Sequence, residues 1–578
     1  MKNLRRLNKY LAKYKWSIIF GLLFVFIANS VALVVPWVVK YAVDALEQGL
    51  PASKLAQYAW TIIGLTVLQG IFRFLMRRVL IGTSRKIEYD LRNDFFAHIQ
   101  GLSFSFFNRT STGDLMARAT NDLNSVRDLV GPALMHSFST FIAIVVSLYW
   151  MMRIDPLLTL LTLAVLPALA ILVNRMGAAL HRAYLQVQDQ YAVMSSMVQE
   201  NLGGTRVVKA YGQQESEIGR FAALNKEYVR RNMLSAKLSA AFRPLLRVVV
   251  VVALAAVLWI GGIRVISGTM SIGEFVAFMG YLAALTWPMI GVGWVLNLLQ
   301  RGTASMTRLN AIWDEAPDIV DGPETRRVEN IGGDIVFENV SFSYNGHAVL
   351  KDLNLTIPEG GNIAIVGRTG AGKSTLVNLI PRFFDPQAGR VTIGGVDLRG
   401  LPVADLRASI GYVPQEVFLF SDTVENNIAF GAPATDLAKV EEAARLSHLH
   451  GDIDELPEKY KTMLGERGVN LSGGQRQRAA IARALVLAPG ILILDDSLSS
   501  VDSDTESEIV KHLSGVGKTR TVVLVSHRIS SVQNADRILV MEDGKIAEAG
   551  THGELLSAGG LYADMYQKQL ITAELDSI

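Results

Sequence analysis

Cysteine is absent from the 578 residues. Disulfides, thiolate metal ligands and cysteine nucleophiles are therefore excluded, and the redox compartment stays open. Excess charge of one sign is also missing: 56 Lys and Arg face 53 Asp and Glu, a formal net charge of +3. Such a balance supplies no strong field for nucleic acid, so none is expected as a partner. Charged residues make up 19% of the chain and hydrophobic residues 50%, with mean hydropathy +0.28. That is too apolar for an ordinary soluble protein and too charged for one buried throughout in lipid. A membrane part joined to a soluble part accounts for both.

Apolar runs long enough to cross a bilayer begin near Ile18, Tyr58, Leu129, Leu157, Val248 and Phe275. The fifth is short unless Leu245 and Leu246 are counted, and Arg247 sits at its edge. The N-terminal "MKNLRRLNKYLAKYK" is basic, as in a signal peptide. The run from Ile18 to Val39 is uncharged, longer than a secretory h-region, and followed by no small-residue cleavage site, so it reads as a retained first span. Lys and Arg crowd the N-terminus and the segments 76–128 and 174–243, while the connections after the first, third and fifth runs carry few. The positive-inside rule then puts both termini and the soluble part in the cytoplasm, with a plasma membrane as the expected location.

The two basic segments are too long for turns and read as helix-forming. Two helices meeting at a tip would each carry about 25 residues, roughly 37 Å, into the cytosol. The tips fall near 102–115, within "SFFNRTSTGDLMARATNDL", and near 200–215, "ENLGGTRVVKAYGQQE". A solvated hairpin and a mechanical contact with the soluble part, with Asp114 and Arg206 as candidate contact residues, both remain open. Asn29, Gln69, Arg73, His136 and Asn297 are polar groups in or near spans, and Trp287 and Trp294 lie on the sixth. Lining a cavity competes with helix packing or interfacial anchoring for each.

After Arg301 the pattern changes. The reading divides the chain into a membrane domain, 1–310, a polar Pro- and Gly-bearing linker, 311–333, and a soluble domain, 334–578. In the last, short β-rich runs alternate with helices, which points to an α/β domain with a largely parallel core sheet.

"GRTGAGKST", Gly367, Arg368, Thr369, Gly370, Ala371, Gly372, Lys373, Ser374 and Thr375, follows the apolar "NIAIV" and precedes a helical stretch. It is a P-loop: glycines let backbone N–H groups wrap phosphates, Lys373 reaches the β- and γ-phosphates, and Ser374 is placed to ligate Mg²⁺. "ILILDD" is a buried strand ending in Asp495, where a Mg²⁺ partner belongs. "LSGGQRQR" lies between these motifs, and its Ser472, Gly473, Gly474 and Gln475 open a helix whose N-terminus can bind an anion.

This set resembles the ATP-binding cassette family. Tyr344 in "VSFSY" matches the adenine-stacking aromatic. Gln415 in "YVPQ" matches the glutamine that senses Mg²⁺ and the attacking water. Glu466 and Arg467 in "GERG" match an exporter element beside the signature. Ser500, Val501 and Asp502 match the dimer-facing loop, and His527 in "LVSH" matches the γ-phosphate histidine. Six spans followed by one cassette are similar to the half-transporters of the type I (type IV) exporter fold. The resemblance implies ATP and Mg²⁺ as cofactors, ATP hydrolysis coupled to transport, and tips acting as coupling helices, the second docking on a partner's cassette. It also implies a dimer in which each ATP lies between one chain's P-loop and the other's LSGGQ.

Most members of the family carry Glu after the Mg²⁺ aspartate; here the residue is Asp496. One methylene fewer leaves its oxygens about an ångström short, a misplacement that can cost roughly 100-fold in rate. An intact LSGGQ with a shortened base resembles the degenerate-site half of multidrug-type heterodimeric bacterial exporters. The partner would then be a second half-transporter bearing the Glu, and the cargo amphipathic drugs or lipids. A homodimeric exporter with reduced hydrolysis, and an ATP-gated channel or regulatory subunit, share the same motifs.

Overall fold

The computed structural model describes residues 4–576 other than 324, 329–330, 433 and 516–519; side chains at 165–174, 243, 246, 249–250, 253, 286–287, 289–290, 503, 514–515 and 572–576 are also outside the description. The chain divides into two compact units. One comprises Met1–Ala97 and Gly113–Asp314, the other His98–Thr112 and Glu315–Ile578.

The first unit is helical. Among the described residues six long helices run through it: α1 Lys15–Glu47, α2 Ala52–Gln100, α3 Leu134–Ile154, α4 Pro156–Gly203, α5 Gln214–Ile266 and α6 Ile272–Trp313. Each contains or directly continues one of the apolar runs. The 48 residues of α4 span about 72 Å at ~1.5 Å rise, more than twice a hydrocarbon core of about 30 Å. Lys15–Glu47, Ala52–Gln100 and Thr112–Ile154 are long and apolar enough to cross a membrane on described residues alone. On α2 the residues Trp60, Ile63, Val67, Ile71 and Phe74 follow helical spacing and are all exposed. An apolar stripe turned outward suits lipid rather than water.

The helix starts are written locally. Asp155 caps α4 by accepting from Leu158 N at 3.0 Å, with Pro156 in the first turn. Ser271 and Glu274 form a reciprocal capping box at α6. The helical run leading into α3 is broken by π-helical segments at Arg118–Asp122 and Leu129–Ala133. Within the first of these, Asp122 is buried and takes both a 3.0 Å and a 2.5 Å bond from Arg308 of α6. The basic N-terminal segment is likewise paired: Tyr10 donates to Asp94 at 2.6 Å and Lys13 pairs with Asp90 at 2.6 Å, both on α2. The Tyr10 bond holds the Asp94 carboxyl below its ordinary range.

Asn29 donates to Val25 O at 2.7 Å and accepts from Ser139 at 2.9 Å, so it is a packing bond to the α3 helix. His136 meets Trp294 edge-on, with ring centroids 4.9 Å apart. Gln69 is half-buried; Arg73 and Asn297 are exposed. The Trp287 side chain lies outside the described residues.

The second unit is α/β. One antiparallel sheet has the order β2-β1-β4-β5, from β1 Ile335–Tyr344, β2 His347–Ile357, β4 Ala388–Ile393 and β5 Val396–Asp397. The other has the order β10-β9-β3-β8-β7-β6, from β3 Asn362–Gly367, β6 Ile410–Val413, β7 Ile491–Asp495, β8 Thr521–Val525, β9 Arg537–Glu542 and β10 Lys545–Gly550. Strands β6, β7, β8, β3 and β9 are mutually parallel, and every residue of β7 and β8 is buried. Burial on both faces explains their unbroken Val, Ile and Leu runs. Helices α7 Lys373–Leu379, α8 Gly473–Leu485, α9 Ser503–Gly515 and α10 Leu561–Asp576 complete the parts used below.

Most of the first tip, up to Thr112, belongs to this second unit, whereas Gly113 and Asp114 fall in the first unit. Its helix, Phe104–Arg109, stacks Phe104 on Phe383 with centroids 5.6 Å apart and meets Phe384 edge-on at 5.9 Å. Ser103 Oγ accepts from Ile319 N at 3.0 Å, and Ser105 and Arg109 pair with Asp318 and Glu315. The polar segment read as a linker is itself bonded to the cassette: Asp321 accepts from Val403 N at 2.9 Å and Arg326 N donates to Gly400 O at 3.0 Å.

Candidate active site

Ligand crevices in doubly wound sheets form at the carboxyl ends of parallel strands. Here β3, β8, β7 and β6 are neighbours, and each is followed by a residue singled out from the sequence. The P-loop follows β3, His527 follows β8, Asp495 and Asp496 end β7, and Gln415 follows β6. The sheet order therefore assembles residues that are up to 160 positions apart in the chain.

Gly367 closes β3 at φ +151°, and a Cβ there would sit 2.3 Å from Met541 O. Gly372 stands before α7 at φ +98°, a conformation that L side chains rarely adopt. The loop so shaped folds Lys373 back: its Nζ donates to Gly367 O at 2.8 Å and Arg368 O at 3.0 Å. Burial holds the Lys373 ammonium below its ordinary pKa, against the pull of Asp496 and Asp495. Ser374 Oγ donates to Asp495 Oδ1 at 3.0 Å. Burial raises the Asp495 carboxyl pKa; the Ser374 bond opposes this, Asp496 reinforces it and Lys373 opposes it.

Asp496 N continues the ladder by donating to Val525 O at 2.9 Å, and the residue sits at φ +48°. Aspartate tolerates that left-handed conformation better than most side chains. Its carboxylate is 2.7 Å from His527 Nδ1 and 3.4 Å from Gln415 Nε2. An ionised carboxylate only accepts, so Nδ1 carries the proton in this bond. Tyr344 packs edge-on against Phe342 and Phe384, centroids 4.8 and 5.4 Å away, and burial raises its phenol pKa while a Thr375 hydrogen bond opposes it.

The signature is built separately. Ser472 and Gln475 form a capping box at α8, with bonds of 3.2 and 2.9 Å. Gln475 Nε2 also donates to Asp452 at 2.9 Å, Asp452 pairs with Arg478 at 3.0 Å, and Arg478 donates to His448 O at 2.6 Å. A Cβ on Gly474 would lie 2.9 Å from Ser500 O. Gln477 accepts from Ser500 N at 2.8 Å and donates to Ser499 Oγ at 3.0 Å. Asp502 caps α9 through Thr505 N at 2.9 Å, and that bond lowers its carboxyl pKa. Among the described residues, the side-chain bonds of Ser472 and Gln475 stay within the cap and Asp452; none reaches the P-loop. One chain thus brings Gly367–Thr375, Asp495, Asp496, His527 and Gln415 together, with Tyr344 joined through Thr375, and holds Ser472–Gln475 and Asp502 apart as a second surface.

Asp452, Gln477 and Arg528 were not singled out from the sequence. Arg528 donates to Ser499 O at 2.8 Å, Val501 O at 3.0 Å and the buried Glu506 at 3.0 Å. Asp452 and Gln477 sit in polar helical stretches, HGDID and GGQRQRAAIARAL, and carry no signal of their own; Arg528 is marked only by following an apolar strand.

The Ser374 hydroxyl and the buried Asp495 carboxylate are hard oxygen donors side by side, which fits Mg²⁺. When bound, that ion neutralises charge on phosphate oxygens. The chain's own groups can do the rest. P-loop N–H groups and Lys373 can hold a polyphosphate, and Asp496, oriented by His527, can accept a proton from water.

Fold and site together define a P-loop ATPase continuous with a helical membrane unit. Residues 18–289 match the family model described as ABC transporter transmembrane region, and residues 350–499 the one described as ABC transporter. The multidrug resistance-like ATP-binding protein MdlA of Escherichia coli is 36% identical over 548 residues, 94% of this chain and 92% of that one. The ATP-dependent lipid A-core flippase of Syntrophus aciditrophicus is 36% identical over 546 residues, 94% and 90%. A solved bacterial Atm1-family ABC exporter with ATP bound superposes with a TM-score of 0.79 at 28% identity, covering 96% of this chain and 99% of that one. The chain belongs to the ABC transporter family. It is an integral membrane protein of exporter architecture that binds nucleotide and couples ATP hydrolysis to export. It carries one membrane region and one cassette, and exporters of this kind work as dimers.

Proposed function

We propose that this chain is one half of a heterodimeric exporter of amphipathic small molecules, drugs or lipids, and that its own P-loop holds a slowly hydrolysed Mg²⁺-ATP. The observation that carries the reading is Asp496. It occupies the position next to Asp495, bonded to His527 and Gln415, with a side chain one methylene shorter than the family's usual Glu. The signature of the same chain keeps its full capping box. The good LSGGQ then serves the partner's ATP and the short base serves this chain's own. The retained His527 bond makes the site slow rather than dead. The cassette and both termini face the cytoplasm of a bacterial inner membrane, in keeping with the Lys and Arg distribution.

The second tip supports the dimer. Its helix, Thr205–Ala210, has no buried residue, and Leu202, Val207 and Tyr211 beside or within it are 72%, 61% and 76% exposed. An isolated chain leaves that apolar group in water; docking on the other chain's cassette covers it. The cargo class rests on the multidrug and lipid names of the relatives and on the aromatic Trp294–His136 contact between helices.

The test is steady-state ATPase activity and vesicle transport in the assembled transporter, with Asp496→Asn set beside Glu→Gln at the partner's base. The reading expects a small loss for the first and a near-complete loss for the second. Equal losses would mean two equivalent sites. Net flux against a gradient distinguishes a pump from an ATP-gated channel.

A further inference from the structure

The C-terminal helix α10 reaches the hydrolysis site through one side chain. Gln569 Nε2 donates to His527 O at 2.5 Å, and Gln569 Oε1 accepts from Ile529 N at 2.9 Å. A single amide thus bridges the backbone on both sides of Arg528. The Arg528 backbone groups are closed by Ser526, whose hydroxyl accepts from Arg528 N at 3.0 Å and donates to Arg528 O at 3.2 Å.

The two residues so fixed point to different partners. His527 presents Nδ1 to Asp496 at 2.7 Å. Arg528 spreads its guanidinium over Ser499 O, Val501 O and Glu506. The loop that Arg528 holds is the one that Gln477 of the signature helix holds from the other side. The bridge therefore sits behind both the proton-accepting pair and the loop between Asp496 and α9.

The helix that carries Gln569 is well anchored. The Glu548 carboxylate accepts from Leu561 N at 2.5 Å and Tyr562 N at 3.1 Å, where a helix N-terminus favours negative charge. Tyr562 is fully buried and bonds His552 at 2.7 Å, and Tyr566 packs on the same core. Tyr562, Tyr566 and Gln569 are spaced as one helix face, so buried Tyr562 and half-buried Tyr566 aim the amide at the turn.

We propose that Gln569 is a positioning residue for ATP hydrolysis: it clamps the His527–Ile529 turn, and so sets the rate at which bound ATP is cleaved without setting nucleotide affinity. Adenine and phosphate binding rest on Tyr344 and the P-loop, which the amide does not touch. The proposal holds whether the Asp496 site is slow or fast, so its failure is separate from failure of the heterodimer reading.

The experiment uses the full-length chain in lipid nanodiscs as the transporter assembles; where a different chain is the partner, that chain's base is changed Glu→Gln so that cleavage reports this P-loop alone. Single-turnover cleavage of Mg²⁺-ATP, with protein in excess, is measured beside equilibrium binding of a fluorescent ATP analogue and the thermal midpoint. Gln569→Leu removes both bonds; Gln569→Glu keeps the acceptor for Ile529 N and removes the donor to His527 O. Both variants are expected to lower the cleavage rate on the order of 10- to 100-fold, the scale of a 1 Å misplacement, at native nucleotide affinity. Native cleavage by Gln569→Leu overturns the proposal. So does a joint fall of rate, affinity and thermal midpoint, which marks a purely structural helix. Native cleavage by Gln569→Glu overturns the clamp on the His527 carbonyl.

Discussion

The two nucleotide surfaces of this cassette are built by opposite means. The P-loop side is a product of strand order: four neighbouring parallel strands deliver Lys373, His527, Asp495, Asp496 and Gln415 to one edge. Its charges lie close together and perturb one another, as with buried Asp495 and Lys373. The signature side is a product of one helix start: Ser472 and Gln475 cap α8, and Asp452 and Arg478 brace the cap. The departure from the family pattern lies on the first surface alone. On the proposed reading the chain meets ATP with both surfaces, in two different composite sites, and so loses speed at one while keeping the other intact.

That contrast can be broken most directly at the signature. Ser472→Arg should abolish most turnover of the assembled transporter, on the order of 100-fold or more, as when a charge-stabilising donor is lost. Nucleotide binding at this chain's own P-loop should stay native, as a fluorescent ATP analogue would report. Loss of that binding would show that the two surfaces are not independent.

Restoring the longer base sharpens the other side. Asp496→Glu should raise single-turnover hydrolysis at this chain's P-loop by roughly 100-fold, the reverse of an ångström-scale misplacement. An unchanged rate would mean that the methylene is not what limits the site.

The first tip should give a smaller effect. Phe104→Ala removes the stack on Phe383 and the edge contact with Phe384. Flux per ATP should fall by about 2- to 30-fold, the range that 0.5–2 kcal/mol of lost coupling allows, with basal ATPase retained. Unchanged flux per ATP would assign the aromatic stack to stability alone.

Asp495 gives a test by stability. Burial raises its carboxyl pKa, so its contribution is favourable below the ordinary carboxylate range and lost as pH rises through the raised value. Above that raised value the ionised group costs stability. Asp495→Asn should therefore raise the thermal midpoint of the nucleotide-free chain, by about 2–4 °C for each kcal/mol recovered, while Mg²⁺-ATP ceases to stabilise it. The smallest effect is expected from Asp496→Asn on total transporter turnover, which should stay close to native. A loss matching that of Ser472→Arg would erase the distinction between the two surfaces.

The P-loop and β7 were legible because their physics is local. Glycines at fixed offsets shape the loop, and an unbroken apolar run followed by Asp495 marks a buried strand end. Gln415 and His527 were legible only through family resemblance, since nothing in "YVPQ" or "LVSH" says that these strand ends meet. Placement of residues 98–112 of the first tip with the cassette was not legible, because it rests on rings nearly 280 positions apart.

What the sequence determined by itself is therefore what neighbours along the chain can specify: apolar runs of membrane length, helix caps, a phosphate-binding loop and a carboxylate one methylene short. Tertiary structure alone decided which of these meet. The pairing of Asp496 with His527, the bracing of the signature by Asp452, and the grip of Gln569 on the His527 turn all depend on hydrogen bonds between distant segments. Such bonds form only once strand order and helix packing have fixed the distances. A polar side chain carries no mark in the sequence of the backbone group it will find.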